Sequence, residues 1–143
     1  MIYLDTSFVV PLFINEAATE QVERYVRNLA AGSLCVSHWT RLEFAGVLAR
    51  DVRMEMLDEA EARRIAERLE VYLAASFELL APRIEDYELA RRYALQSPAG
   101  LRAGDALHLA IAANANVKSL LTLDQGMLKA GKLLKLPVSR GIR

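Results

Sequence analysis

Four acidic residues of this chain stand where a carboxylate can do chemistry. Asp5 follows the apolar run Ile2–Leu4, and Asp124 follows Ser119–Leu123, so each closes a segment that reads as a buried strand. Asp105 begins the nearly all-apolar segment Ala106–Ala115. Glu43 lies inside a helical pattern, four residues from both Trp39 and Val47, and shares their stripe. The chain has 18 Asp and Glu residues, so setting and not number singles these four out. Three of them also have structural explanations. Asp5 and Asp124 suit helix N-caps, and Asp105 suits the positive end of a helix dipole. Glu43 is harder to explain that way, because an ionised carboxylate facing a core is costly unless paired or bound to metal. Arg50 and Arg102 are its candidate partners. Arg41, two residues away, cannot face it.

Several carboxylates in one crevice would repel and raise one another's pKa, a conflict that a divalent cation removes. Donors that are all carboxylate oxygens select a hard ion, Mg²⁺ or Mn²⁺. Only two histidines are present, His38 and His108, and no Cys/His spacing suggests zinc. His108 stands one turn beyond Asp105. It reads either as a packed or surface residue, or as one that orients that acid or touches substrate. His38 reads as a helix-start residue. Basic side chains able to grip a polyanion are Arg41, Arg50, Arg102 and Lys129, with Arg102 preferred because it just precedes Asp105.

The elements that must position these groups alternate between two periods. Strands are expected at Ile2–Leu4, Leu34–Ser37, Phe77–Ala81, Ser119–Leu123 and, as a short final edge, Leu136–Ser139. Helices are expected over Phe8–Ile14, with Pro11 tolerated in its first turn, Ala17–Ala31 stopped by Gly32, and Trp39–Arg53. A long helix follows Asp58, then Glu85–Gln96, Ala106–Ala115 and a short helix from Asp124 to about Lys129. Ser97–Gly100 reads as a loop. Strands separated by helices predict an α/β fold, a three-layer α/β/α sandwich around a central parallel sheet of four to five strands. In such sheets ligands bind beyond the carboxyl ends of the strands, where the strand order reverses. Asp5 and Asp124 both end strands, and Asp105 begins the helix that feeds the fourth.

Residues 1–143 fit one compact domain. The chain is 53% hydrophobic and 25% charged, which argues against disorder. Its 18 basic and 18 acidic residues give zero net charge, which excludes bulk attraction to nucleic acid or membrane but not a local site. The single cysteine, Cys35, is expected to be a buried inert thiol. No apolar run reaches the length of a bilayer span, and a start at Met1-Ile2-Tyr3-Leu4 lacks a signal peptide's basic region. A cytoplasmic location is expected.

Met1-Ile2-Tyr3-Leu4-Asp5-Thr6-Ser7 resembles the opening of a PIN domain. Arg102-Ala103-Gly104-Asp105-Ala106-Leu107-His108-Leu109-Ala110 resembles its third acidic motif, Leu121-Thr122-Leu123-Asp124 its fourth, and Glu43 in Thr40-Arg41-Leu42-Glu43-Phe44 its intervening glutamate. The likeness covers essentially the whole chain and is strongest to the VapC group of toxins from toxin–antitoxin pairs. It implies a Mg²⁺- or Mn²⁺-dependent endoribonuclease, a homodimer, and a small antitoxin whose tail blocks the active site. The metal ligands it implies are Asp5, Glu43, Asp105 and Asp124, supported by Thr6, Ser7 and Thr122. Of the basic side chains named above, Arg102 and Arg41 are the ones expected to hold substrate. The implied reaction is in-line attack of metal-activated water on RNA, leaving 5′-phosphate and 3′-hydroxyl ends. Gln125-Gly126-Met127 departs from the pattern, since many relatives carry another acid or a phenylalanine nearby.

Two other readings remain at this point. One is a PIN-fold module that binds partners with little catalysis. The other is a nuclease acting on DNA or ribosomal RNA precursors, which the acidic site alone does not distinguish. An aspartyl phosphatase is disfavoured because Ser7 stands where a second Asp is needed. Neither a P-loop nor a dinucleotide-binding glycine pattern occurs.

Overall fold

The computed structural model describes residues 1–96 and 100–143. Of the expected 97–100 loop, only Gly100 lies within them. In chain order the elements are β1 (Ile2–Leu4), α1 (Thr6–Val9), a 3₁₀ turn (Val10–Leu12), α2 (Thr19–Arg27), β2 (Leu34–Ser37), α3 (His38–Arg53), α4 (Glu59–Ser76), β3 (Glu78–Leu80), α5 (Ile84–Gln96), α6 (Ala103–Asn114), β4 (Ser119–Leu121), α7 (Gln125–Leu133) and β5 (Val138–Ser139).

The strands form one sheet in the order β3-β2-β1-β4-β5, with every pairing parallel. Side chains alternate faces along a strand. Tyr3, Cys35 and Leu120 therefore enter one core with α5, α6 and α7, while Leu4, Leu34, Val36 and Leu121 enter the other with α1 to α4. Covering both faces explains why these strands are apolar throughout. The result is the expected α/β/α sandwich. On the α1–α4 side, Phe13 stacks edge-on against Phe44 and Tyr72, with ring centroids 5.7 and 5.6 Å apart. Phe44 is 1% exposed, and truncating it to Ala would cost about 3–5 kcal/mol.

Local chemistry sets the boundaries that differ from expectation. β4 stops at Leu121; Thr122 N still donates to Ser139 O at 3.1 Å, but the following amides turn to side chains, Leu123 N donating to Ser7 Oγ at 2.8 Å and Asp124 N to Thr122 Oγ1 at 3.0 Å. α6 begins at Ala103, so Asp105 lies inside its first turn. α2 is shorter than the Ala17–Ala31 pattern and ends at Arg27, with Gly32 in the left-handed region beyond it (φ 73°). α7 runs on to Leu133, and Gly131 lets it meet β5: a Cβ there would come within 2.5 Å of Val138. Cys35 is fully buried, and burial pushes its thiol up to about 11. No helix among the described residues is long and apolar enough to cross a membrane.

The chain leaves β1 toward β2 on one side, while β4 lies on the other, so the strand order reverses beside β1. The backbone joins the two strand ends there, with Asp5 N donating to Leu121 O at 3.1 Å.

Candidate functional site

Beyond the carboxyl ends of β1 and β4 lies an open cavity of about 410 Å³, lined by Asp5, Glu43, Asp105 and Asp124 together with Thr6, Ser7, Arg50, Arg102 and His108. The four acids come from four separate stretches of chain.

Asp5 is the most enclosed, at 3% exposure. It caps α1, with Oδ1 accepting from Phe8 N at 3.0 Å. Ser7 Oγ donates to the same carboxylate at 2.8 Å, and Thr122 Oγ1 donates to Oδ2 at 2.7 Å. Burial raises the carboxyl's pKa, against the opposing effects of His108, Thr122, Ser7 and the Phe8 amide. The cap explanation and the site explanation thus both hold for this one side chain. Asp124 repeats the device at the start of α7: Oδ1 accepts from Met127 N at 2.8 Å, while Oδ2 faces Arg102 Nη2 at 3.3 Å.

Asp105 accepts from Arg102 Nε at 3.0 Å. Burial raises its pKa; Arg102 opposes this, and the nearby Asp124 and Glu43 charges add to it. The Arg102 guanidinium therefore spans two of the acids, although its side chain is 73% exposed. It is the cation paired with these crevice acids, while Arg50, also in the lining, pairs with Asp51.

Glu43 reaches the cavity from α3 and is held by neither Arg50 nor Arg102. Thr6 Oγ1 and His108 Nε2 (2.6 Å) both donate to Oε2. Burial pushes this carboxyl up, but the His108 hydrogen bond and charge, the Thr6 hydroxyl and the Arg102 charge outweigh it and leave the group below its ordinary value. Gly104 makes this approach possible: a Cβ there would meet Glu43 Oε1 at 2.8 Å and the Trp39 ring at 3.1 Å.

Most of the residues singled out from the sequence meet here. Arg41 does not. It lies on the outward side of α3, ion-paired with Glu70 at 2.9 Å and hydrogen-bonded to His38 Nδ1, and it lines no part of this cavity. Two positions one turn and two turns along α3 from Glu43 cannot share its direction with Arg41 only two residues away, which is why Arg50 and Val47 face the crevice and Arg41 does not. Lys129 is likewise absent from the lining. His108 belongs to the site, but it holds Glu43 and Thr6 and not Asp105. Tyr3, whose phenol reaches His108 Nδ1 at 2.7 Å, is a member that strand periodicity marks only as core.

A larger groove of about 750 Å³ lies elsewhere, lined by Leu12, Phe13, Val26, Val71 and Tyr72 with charged residues such as Arg64, Glu67 and Arg68. It contains no cluster of acids on a sheet edge and offers apolar surface in place of ionic chemistry.

Among solved structures, the fold is similar to the Mycobacterium tuberculosis toxin VapC20, described as sarcin–ricin loop cleaving, with TM-score 0.75 and 17% identity over 92% of this chain and 95% of that one. It is similar to FitAcB from Neisseria gonorrhoeae, with TM-score 0.76 and 22% identity over 99% and 98% of the two chains. It is also similar to VapBC2 from Rickettsia felis, bound to a DNA fragment from its promoter, with TM-score 0.67 and 16% identity over 97% and 98%. No curated protein matches the chain by sequence. The PIN domain family matches residues 2–133. With that match spanning nearly the whole sequence, the chain belongs to the PIN domain family of nucleases.

Proposed function

We propose that this protein is a Mg²⁺- or Mn²⁺-dependent endoribonuclease, the VapC-type toxin of a toxin–antitoxin pair. The observation that carries the reading is the convergence of Asp5, Glu43, Asp105 and Asp124 on one cavity at the reversal point of the sheet. The donor chemistry fits the ion: every candidate ligand is a carboxylate oxygen, the set preferred by hard divalent cations. A guanidinium already spans Asp105 and Asp124, which supports a preference for positive charge between them.

Asp5 would be the principal ligand, with Asp105 and Asp124 completing the set and Glu43 either joining it or orienting water. When bound, Mg²⁺ or Mn²⁺ supplies Lewis-acid activation of water and neutralises charge on the scissile phosphate. The rest falls to the protein. Ser7 and Thr122 hold both oxygens of Asp5, Thr6 holds Glu43, and Arg102 on the rim grips the sugar–phosphate backbone once released from the acids. Arg50 lines the same cavity and takes the gripping role assigned from the sequence to Arg41.

RNA as substrate follows the family resemblance and the sarcin–ricin loop cleaving neighbour. A small antitoxin partner follows the neighbours solved as toxin–antitoxin assemblies, and the apolar groove between α2 and α4 gives such a partner surface to cover. We further propose a homodimer, to be checked by analytical ultracentrifugation, and a cytoplasmic location.

One observation favours a second reading, a partner-binding module with little catalysis. Among the described residues, no three His, Cys, Asp or Glu side chains are gathered closely enough to cage an ion. A single experiment separates the two. Cleavage sites are mapped on total cellular RNA, and on matched DNA, with added Mn²⁺ or with chelator, for wild type and Asp5→Asn. Metal-dependent cuts in RNA that vanish in the variant support the nuclease. Absence of cuts together with no Mn²⁺ binding at millimolar concentration would leave the module.

A further inference from the structure

A closed circuit of hydrogen bonds runs behind the crevice. Ser37, the N-cap of α3, accepts from Thr40 N with its hydroxyl, and the Thr40 side chain accepts from Ser37 N. Ser37 Oγ lies 2.8 Å from Tyr3 Oη, and Tyr3 Oη lies 2.7 Å from His108 Nδ1. His108 Nε2 lies 2.6 Å from Glu43 Oε2, which returns the circuit to α3 one turn beyond its start. Tyr3 and Ser37 are fully buried and His108 is 1% exposed.

The order of donors follows from what each atom can do. An ionised carboxylate only accepts, so Nε2 must carry the hydrogen. In the neutral ring, the other nitrogen then accepts. Tyr3 supplies that hydrogen; burial drives its phenol far above its ordinary range, so it remains an O–H. Tyr3 Oη in turn accepts from Ser37 Oγ–H, whose oxygen already accepts the Thr40 amide. With the ring neutral, every bond of the circuit has one donor and one acceptor in this direction; a protonated ring would instead donate from Nδ1 to Tyr3 Oη, with Tyr3 donating to Ser37 Oγ and Ser37 to Thr40 Oγ1, and either way Nε2–H faces Glu43.

From this geometry we propose that His108 is a positioning residue, set by Tyr3 to present an Nε2–H to Glu43 and so to fix that carboxylate at the crevice wall. The inference deepens the nuclease reading and rests on it for the purpose of the device, though the circuit itself does not need a metal. His108 is almost fully buried at the back of the crevice, and its contacts there are with Glu43 and Thr6. A merely space-filling ring would tolerate any isosteric apolar replacement and would need no defined tautomer.

The test has two arms on the full chain. Ring-nitrogen NMR of uniformly ¹⁵N-labelled wild-type protein should show His108 with a protonated Nε2 and an unprotonated Nδ1, and that signal should move in Glu43→Gln and in Tyr3→Phe. A protonated Nδ1 in wild type, or a signal indifferent to both variants, overturns the proposal whether or not metal binds. The second arm measures Mn²⁺ affinity by calorimetry for His108→Gln, which retains an amide N–H near the Nε2 place, and for His108→Leu. Loss of an orienting partner weakens metal binding by about 10- to 100-fold, so Leu should bind Mn²⁺ that much more weakly, with Gln recovering most of the loss. Equal affinity in folded Gln and Leu variants overturns it. If wild type binds no Mn²⁺, the nuclease reading fails, and the NMR arm still decides the circuit.

Discussion

Asp5 and Asp86 are both deeply buried aspartates near the start of a helix, yet they belong to different kinds of place. Asp86 is 2% exposed. Its Oδ2 accepts from the backbone N of Arg83, just ahead of α5, and its Oδ1 accepts from Asn114 Nδ2 at 2.7 Å. Those partners tie α5 to α6. Asp5 is likewise held by hydrogen bonds, from Phe8 N, Ser7 and Thr122, but it also lines a cavity that three further acids enter. Burial and satisfied hydrogen bonds therefore do not distinguish a structural carboxylate from a site carboxylate. Company does: Asp86 meets neutral donors and one distant arginine, while Asp5 shares its space with other anions, an arrangement that costs stability unless a cation joins it.

The sharpest way to break the comparison is to neutralise each aspartate. Asp5→Asn should lower RNA cleavage by at least about 10²-fold, since a metal's charge stabilisation is worth several kcal/mol. Its melting temperature without metal should not fall, and at neutral pH should rise, because the Ser7 and Thr122 hydroxyls can still bond the amide and the buried charge is gone. Full activity in that variant would remove Asp5 from the chemistry. Asp86→Ala should do the reverse, losing about 1–3 kcal/mol in urea unfolding through its abandoned donors, with cleavage per folded molecule unchanged. If Asp86→Ala instead kills activity in folded protein, the distinction drawn here is wrong.

Thr122→Val probes the support beneath Asp5. It keeps the shape and removes a hydroxyl that donates to Asp5 and accepts from Asp124 N. Initial rates should fall by about tenfold or more, the usual range for a partner that orients a ligand. Arg102→Ala should have a smaller and two-signed effect. Exposed ion pairs are worth roughly 0–1 kcal/mol, so Mn²⁺ affinity by calorimetry should improve by no more than about fivefold. RNA binding should weaken, with a flatter dependence on salt; a tighter RNA complex would contradict the grip assigned to it.

The subtlest test uses pH. Asp5 and Asp105 have pKa values raised in the folded state, chiefly by burial. A raised folded pKa contributes stability below the unfolded value, about 4, and that stability is lost as pH rises through the folded value. Glu43, lowered, acts in the opposite sense and loses its contribution as pH falls. Metal-free protein should therefore lose melting temperature between about pH 4 and neutrality, and Asp5→Asn should flatten that loss. Added Mn²⁺ should raise the melting temperature more at pH 7 than at pH 4. A pH-independent metal shift would mean that these carboxyls do not take part.

The sequence made the sheet and the four acids legible for a physical reason. A parallel strand covered on both faces is a solid apolar run, and an acid that ends such a run is conspicuous. Asp5 and Asp124 stand at those breaks, and Asp105 stands out as an acid in the first turn of the most apolar helix. Glu43 was visible as a charge on a buried stripe, but its partners were not, because pairing across 65 residues to His108 depends on how α3 and α6 lean together. Arg41 shows the limit from the other side: proximity in sequence to Glu43 placed it near the crevice, while helical rotation turns it toward Glu70. Tyr3 was hidden because an inward strand tyrosine looks like any core aromatic until its hydroxyl finds a partner. β4 was read too long because side-chain acceptors on Ser7 and Thr122 take over the amides that a sheet partner would otherwise bond.

Gly104 carries a consequence out of proportion to its size. The gap between α6 and the tip of Glu43 is filled by a single hydrogen, so the wall of the crevice has no room for even one methyl group unless Glu43 or Trp39 gives way. Any larger residue must either tilt the helix that carries Asp105 or rotate Glu43 off its imidazole, and each outcome separates acids on opposite walls. In a saturation library screened for loss of nuclease activity, position 104 should therefore behave like a member of the acidic set, although it has no side chain to offer a metal, a proton or a phosphate.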